Sequence, residues 1–178
     1  MKVYCAFLSA DSELLQSHWL NRLAARASSA ENPKIHVELL FSSRDTPGEI
    51  LGESCSITHG NKVFLQEKRF SRSNWEFRRI PMSEAQAETV KEWCASRVGD
   101  SFNHLGFYTT PVGCVKPTSL YNIGLAKTPQ WFCSEVVSHA LSQVVVIPAV
   151  SVHPQKLFDM LQDITVVDSA RSSEGIKF

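Results

Sequence analysis

No two cysteines of this chain stand in a CxxC spacing, and the five present (Cys5, Cys55, Cys94, Cys114, Cys133) are an odd number scattered along its length. That pattern excludes a tidy disulfide framework and speaks against a structural zinc site, which needs clustered thiolate or imidazole ligands. Charge of one sign is lacking too. Lys plus Arg and Asp plus Glu are 18 each, so no global field draws the chain to nucleic acid or to an acidic membrane. The basic residues around Lys68, Arg69, Arg72, Arg78 and Arg79 alternate with Trp75 and Phe77 and read as the solvent face of a strand. Long apolar runs are missing: Val144 to Val150 is the longest, and Pro148 interrupts it. A bilayer needs about 20 such residues, and Val3 to Leu8 is too short for a signal-peptide core. Repeats and low-complexity tracts are also absent. These absences lead to the expectation of a soluble protein with free thiols in a reducing, cytoplasmic compartment.

What is present is an ordinary globular balance. The 178 residues, 43% of them hydrophobic, suit a single domain spanning 1–178 with one core. Val3 to Leu8 reads as a buried strand. Asp11 or Ser12 can cap a helix carrying Leu15, His18, Trp19, Arg22, Leu23 and Arg26 at helical spacing. Strand-like runs follow at Ile35 to Phe41, Ile50 to Thr58 and Val63 to Phe70, divided by the turn signals Asp45-Thr46-Pro47-Gly48 and His59-Gly60-Asn61. Trp75 to Ile80 reads as the fourth strand of this meander. Ser83 and Gln86 form a capping-box pattern before a helix with Val90, Trp93, Cys94 and Val98 on one stripe, which Gly99 can end. Asp100 to Lys127 is a long stretch without period, of the kind that is usually functional or partly helical. A helix from about Thr128 to Leu141 and a last one opening at His153-Pro154 complete the chain, with Val144 to Ile147 as a further short strand. The fold class is α+β.

Two segments carry chemistry. Pro129-Gln130-Trp131-Phe132-Cys133-Ser134-Glu135-Val136-Val137 places a cysteine near a helix start, with Thr128-Pro129 as an N-cap and N1 pair. Partial positive charge at a helix N-terminus favours the thiolate, the reactive form of cysteine. The second segment, Lys34-Ile35-His36-Val37-Glu38-Leu39-Leu40-Phe41, sets one histidine among apolar strand residues. A ring so placed must meet something polar. Each residue also has a plainer reading. A helix cysteine beside valines is often only packing, and a lone strand histidine often serves a backbone carbonyl. Cys5 and Cys94 read as core, Cys55 as a strand residue and Cys114 as a loop residue. Among the other histidines, His104 is the alternative to His36, while His18, His59, His139 and His153 are weaker.

Trp131-Phe132-Cys133-Ser134-Glu135-Val136-Val137, read together with Ile35-His36-Val37-Glu38, resembles the circularly permuted papain-like hydrolases, the YiiX-like branch of the NlpC superfamily. In that group a histidine strand precedes an "[FY]-C-S-E-[LFV]-V" helix, reversing the usual papain and NlpC order. The resemblance runs from Ile35 to about Leu161, with Asn103-His104-Leu105-Gly106 in place of a loop before the cysteine helix. It implies a permuted papain-like fold, with an antiparallel sheet packed on the helix that carries Cys133 at its N-terminus.

The activity implied is that of a cysteine peptidase or amidase on a peptide or amide substrate. Cys133 would be the nucleophile, His36 the base, and an acyl-enzyme the intermediate. The family usually places a polar or acidic third residue on the strand after the histidine strand. Here that strand, Ile50 to Thr58, offers Glu53 to orient the imidazole, with Glu38 and Ser54 as alternatives. The oxyanion would be held by the Cys133 backbone N–H and a second donor, Gln130 being one candidate. This chemistry needs no metal or organic cofactor. Two other readings stay open: ester or thioester chemistry on lipids, including acyl transfer, and a catalytically silent binding module of the same fold. The acyltransferases of that kind carry an N-C-E-H-F type string, which Phe132-Cys133-Ser134-Glu135 does not match.

Overall fold

The structure, a computed structural model, describes residues 1–12, 14, 25, 30–104, 129–144, 147 and 152–171, with side chains in the last segment described to residue 162. The helix expected after Asp11 and the aperiodic stretch beyond His104 lie largely outside these residues, as do His18 and Cys114. Among the described residues the fold is α+β, a five-stranded antiparallel sheet with three helices. The strands are β1 (Lys2–Ser9), β2 (Lys34–Asp45), β3 (Glu49–Ser56), β4 (Phe64–Ser71) and β5 (Glu76–Ile80). Helices α1 (Glu84–Arg97), α2 (Cys133–Leu141) and α3 (Pro154–Arg171) follow, with a short pair, β6 (Ser101–Phe102) and β7 (Gln130–Trp131), between α1 and α2. No helix among the described residues is long and apolar enough to cross a membrane.

Strands β2 to β4 follow the expected meander, with β1 added beside β2, but β5 does not extend it. The order is β4-β3-β2-β1-β5, and β5 pairs with β1 (Val3 opposite Ile80, Phe7 opposite Glu76). Laid flat, the two edges of such a sheet would stand roughly 19 Å apart, four spacings of about 4.8 Å. Yet only four residues link β4 to β5, and they are folded into a turn by Asn74 and Trp75 N–H bonds to the Ser71 carbonyl. The sheet therefore curls until its edges approach, and the Phe70 and Phe77 rings lie 6.5 Å apart. Periodicity identifies a strand but carries no information about which partner a curled sheet brings to it.

Curling divides the apolar residues between two faces. Val37, Leu39 and Phe41 of β2 join Val3, Cys5 and Phe7 of β1 in the larger core, where Val136, Val137, Ala140 and Leu141 of α2 and Leu157 and Leu161 of α3 pack on them. Each such side chain taken fully out of water contributes about 1.5–3 kcal/mol, so α2 is held by packing rather than by propensity. The opposite face gathers Tyr4, Ala6, Leu40, Ile50 and Phe70, with Trp75 and Phe77 against them. Gly52 is required where β2 bulges between Ser42 and Arg44, because a Cβ there would lie 2.1 Å from the Phe41 carbonyl oxygen.

Helix α1 begins as its sequence indicates, with Ser83 accepting the Gln86 N–H and Gln86 reaching back to the Ser83 N–H. Beyond it, Gly99 adopts φ +95°, a conformation that costs glycine little. The short strand expected at Val144 to Ile147 is not borne out at Val144, which ends a turn on the Leu141 carbonyl; residues 145 and 146 lie outside the described set.

Candidate active site

Helix α2 starts later than Thr128-Pro129 suggests. Gln130 and Trp131 form β7, parallel to Ser101 and Phe102, and Phe132 is the extended N-cap (φ −98°, ψ 168°), so Cys133 is the first helical residue. The approach to the cysteine is pinned at several points. Asn103 N–H donates to the Trp131 carbonyl (2.9 Å), Trp131 Nε1 donates to Asp100 (2.9 Å), and Gly99 and Asp100 exchange backbone bonds with Val63. A strand pairing won over the N-cap and proline propensities because it also buries Trp131 against the core.

Phenylalanine has no oxygen with which to cap the first amides of α2, so the side-chain capping runs one way. Glu135 Oε2 accepts the Phe132 N–H at 3.2 Å. The Glu135 carboxyl is buried, and burial pushes its pKa up to about 7 despite that hydrogen bond. Ser134, next to the cysteine, donates to the Val152 carbonyl and ties the start of α2 to the segment before α3.

On β2 the ladder to β3 extends no further than Leu39 opposite Cys55, and Ser56 Oγ donates to the Val37 carbonyl beyond it (2.7 Å). At this uncovered end His36 comes close enough to Cys133 for the sulfur to act on the charge of the imidazole. Burial by itself would lower the pKa of His36. Attraction to the Cys133 sulfur and its hydrogen bond, together with Glu38, outweigh burial and push it up to about 10. The ring is thus held as an imidazolium beside a half-buried sulfur.

The carboxylate at His36 is Glu38, not Glu53. Glu38 Oε1 lies 3.3 Å from His36 Nε2, and its side chain is 2% exposed. Burial would raise its pKa, but hydrogen bonds and charge from His36 and Lys68 bring it down to about 2. Glu53 stands opposite Phe41 in the ladder and pairs with Lys91 of α1, at a half-exposed position. The expectation that Glu53 orients the imidazole is corrected on geometric grounds. Glu53 belongs to the register of Phe41, whose side chain faces the helices, whereas His36 alternates with Val37 and Leu39 of that face. Ser54, the other alternative, touches the carboxylate rather than the ring, donating to Glu38 Oε2 at 2.6 Å.

Lys68 was missed as a site residue, since a lysine in an alternating basic strand looks like solvent-facing charge. Its Nζ lies 2.6 Å from Glu38 Oε1. His104, the alternative base, sits against Phe102 and His59, with ring centroids 5.2 Å away in each case. His139 lies edge-on to Trp131 at 5.0 Å, and burial lowers its pKa. His153 accepts the Gln155 N–H at the start of α3. Gln130 lies on β7, three residues before Cys133. Cys5, Cys55 and Cys94 are buried, and the neighbouring Cys55 together with burial pushes the Cys94 pKa up. No group of three His, Cys, Asp or Glu among the described residues is arranged to hold a metal ion. No family model, curated protein or solved structure matches the chain.

Proposed function

We propose that this chain is a thiol hydrolase of the permuted papain-like kind, a peptidase or amidase that works through Cys133 and His36. One observation carries the reading: a half-buried cysteine at the first position of a helix acts on the charge of a histidine that a buried carboxylate backs. The thiolate is the form of cysteine that attacks a carbonyl. The chain order of histidine strand before cysteine helix, with a curled antiparallel sheet between, agrees with the permuted arrangement.

In the mechanism the Cys133 sulfur adds to the carbonyl carbon of the substrate, and the carbonyl oxygen takes up the charge. The first amides of α2, to which Phe132 offers no side-chain cap, would hold that charge, and Gln130 is the candidate second donor. His36 then gives its proton to the departing amine as the carbon–nitrogen bond breaks, leaving an acyl-thioester on Cys133. Neutral His36 next takes a proton from water, whose oxygen attacks the thioester. Release of the acid returns the thiolate and imidazolium. Glu38 holds Nε2 of the ring and stabilises its charged form, the part a triad carboxylate plays.

The test is brief iodoacetamide treatment near neutral pH followed by mass-spectrometric mapping, together with a panel of peptide, amide and ester substrates. Cys133 labels ahead of Cys5, Cys55 and Cys94, which are buried. Any of those three labelling ahead of an accessible Cys133 refutes an activated nucleophile. Hydrolysis of esters alone would transfer the protein to the lipid-ester reading. A reactive Cys133 with no turnover on the panel would favour a binding module.

A further inference from the structure

Glu38 has more partners than the orientation of an imidazole requires. Ser54 of β3 donates to Oε2 at 2.6 Å, while Oε1 is shared between Lys68 Nζ at 2.6 Å and His36 Nε2 at 3.3 Å. On the shared oxygen the shorter contact belongs to the lysine. Lys68 comes from β4, two strands away, and the residue beside it in the β3 ladder is Gly52, which puts no side chain in the way. Its ammonium is surrounded by three rings, lying 5.2 Å from the Phe64 centroid, 5.4 Å from Phe70 and 5.9 Å from Trp75. Trp75 also meets the His36 ring edge-on at 6.2 Å. Ring faces attract a cation, so the rings and Glu38 together hold Lys68 in one place.

We infer that Lys68 is a positioning residue that sets how strongly His36 holds its proton. It anchors the Glu38 carboxylate and draws part of that charge away from the imidazolium. A buried carboxylate whose sole cation was His36 would fasten the proton to the ring, and a general acid works best when its proton can leave near the operating pH. A second cation on the same oxygen offsets the carboxylate without displacing it. The groups facing this pair are Cys133 from α2, Lys68 from β4, Ser54 from β3 and Glu38 on β2 itself. The β1 residues opposite His36 and Glu38 are the uncharged Leu8 and Ala6. Lys34, two residues before His36, is engaged by Glu76 at 2.8 Å.

The consequence at turnover rests on the hydrolase reading, but the titration does not. NMR titration of the ring nitrogens in the whole chain, with His36 assigned by its loss in His36→Gln, measures the effect directly. Lys68→Met raises the His36 pKa by about half a unit to one unit, while Glu38→Gln lowers it. Lys68→Arg, which keeps the charge, restores the original value. Lys68→Gln, which offers a neutral donor to Oε1, shifts it in the same direction as Lys68→Met and serves if the methionine variant does not fold. An unmoved His36 titration in both neutral variants, or a fall that parallels Glu38→Gln, overturns the inference. Shifts of the expected sign in a protein that hydrolyses nothing would sink the hydrolase reading and leave this one standing.

Discussion

Replacing Glu38 with glutamine tests the site most directly, because it removes one charge and nearly conserves shape. The carboxyl falls from its ordinary 4.5 to about 2 in the folded chain. Each pH unit of such a difference corresponds to about 1.4 kcal/mol, so the charged form is favoured by about 3 kcal/mol on folding. The folded value is the depressed one, so this stability is fully present above pH 4.5 and is lost as pH falls through about 2. Glu38→Gln therefore destabilises the protein by about 3 kcal/mol at neutral pH, and the deficit shrinks steadily below pH 4.5. Breaking a buried pair by removing one partner is costly in the same range, about 3–5 kcal/mol, here because His36 and Lys68 keep their charges. Denaturant unfolding of both proteins between pH 7 and pH 2.5 measures the difference curve. Loss of a neighbouring opposite charge also lowers the His36 pKa from about 10 by about one to three units, so turnover at pH 8 falls by up to about tenfold, the full loss requiring the largest shift. Glu53→Gln, at a half-exposed pair with Lys91, costs less than about 1 kcal/mol and leaves turnover within about twofold. A stability deficit that does not change with pH, or a larger turnover loss for Glu53→Gln, would refute the assignment of the charge to Glu38.

Two other substitutions probe the frame around the site. Gly52→Ala places a Cβ 2.1 Å from the Phe41 carbonyl oxygen, and overpacking of this kind costs about 3 kcal/mol; thermal unfolding should drop by about 6–12 °C, and an unchanged midpoint would show that the bulge relaxes freely. Glu135 has its folded pKa raised from 4.5 to about 7, so the stability tied to its neutral form is present below 4.5 and lost as pH rises through 7. Glu135→Gln, whose amide oxygen can still accept the Phe132 N–H, is accordingly more stable than the parent at pH 8, by up to about 3 kcal/mol, and equal to it near pH 4; urea unfolding at the two pH values checks this, and a deficit at pH 8 would show that the ionised carboxylate is the better cap.

Local signals determined much of this protein. A continuous apolar run located β1, and strand-like runs divided by turn signals located the other four strands of the sheet, within a few residues. The Ser83 and Gln86 spacing located the start of α1, and His153-Pro154 that of α3. These devices act between residues a few positions apart, so they can be read along the chain. The adjacency of Cys133 and His36 was expected from a resemblance covering both segments; spacing alone says nothing about two residues nearly a hundred positions apart. Three features were decided only by tertiary structure. Curling of the sheet sent β5 to β1, because burying Phe70, Trp75 and Phe77 together requires the edges to meet. Pairing of β7 with β6 moved the start of α2 to Cys133, since a backbone ladder and the burial of Trp131 outweigh local capping preference. Register decided between Glu38 and Glu53. A strand's alternation says which residues share a face, but only the assembled sheet says that Glu53 meets Lys91 while Glu38 meets both His36 and Lys68.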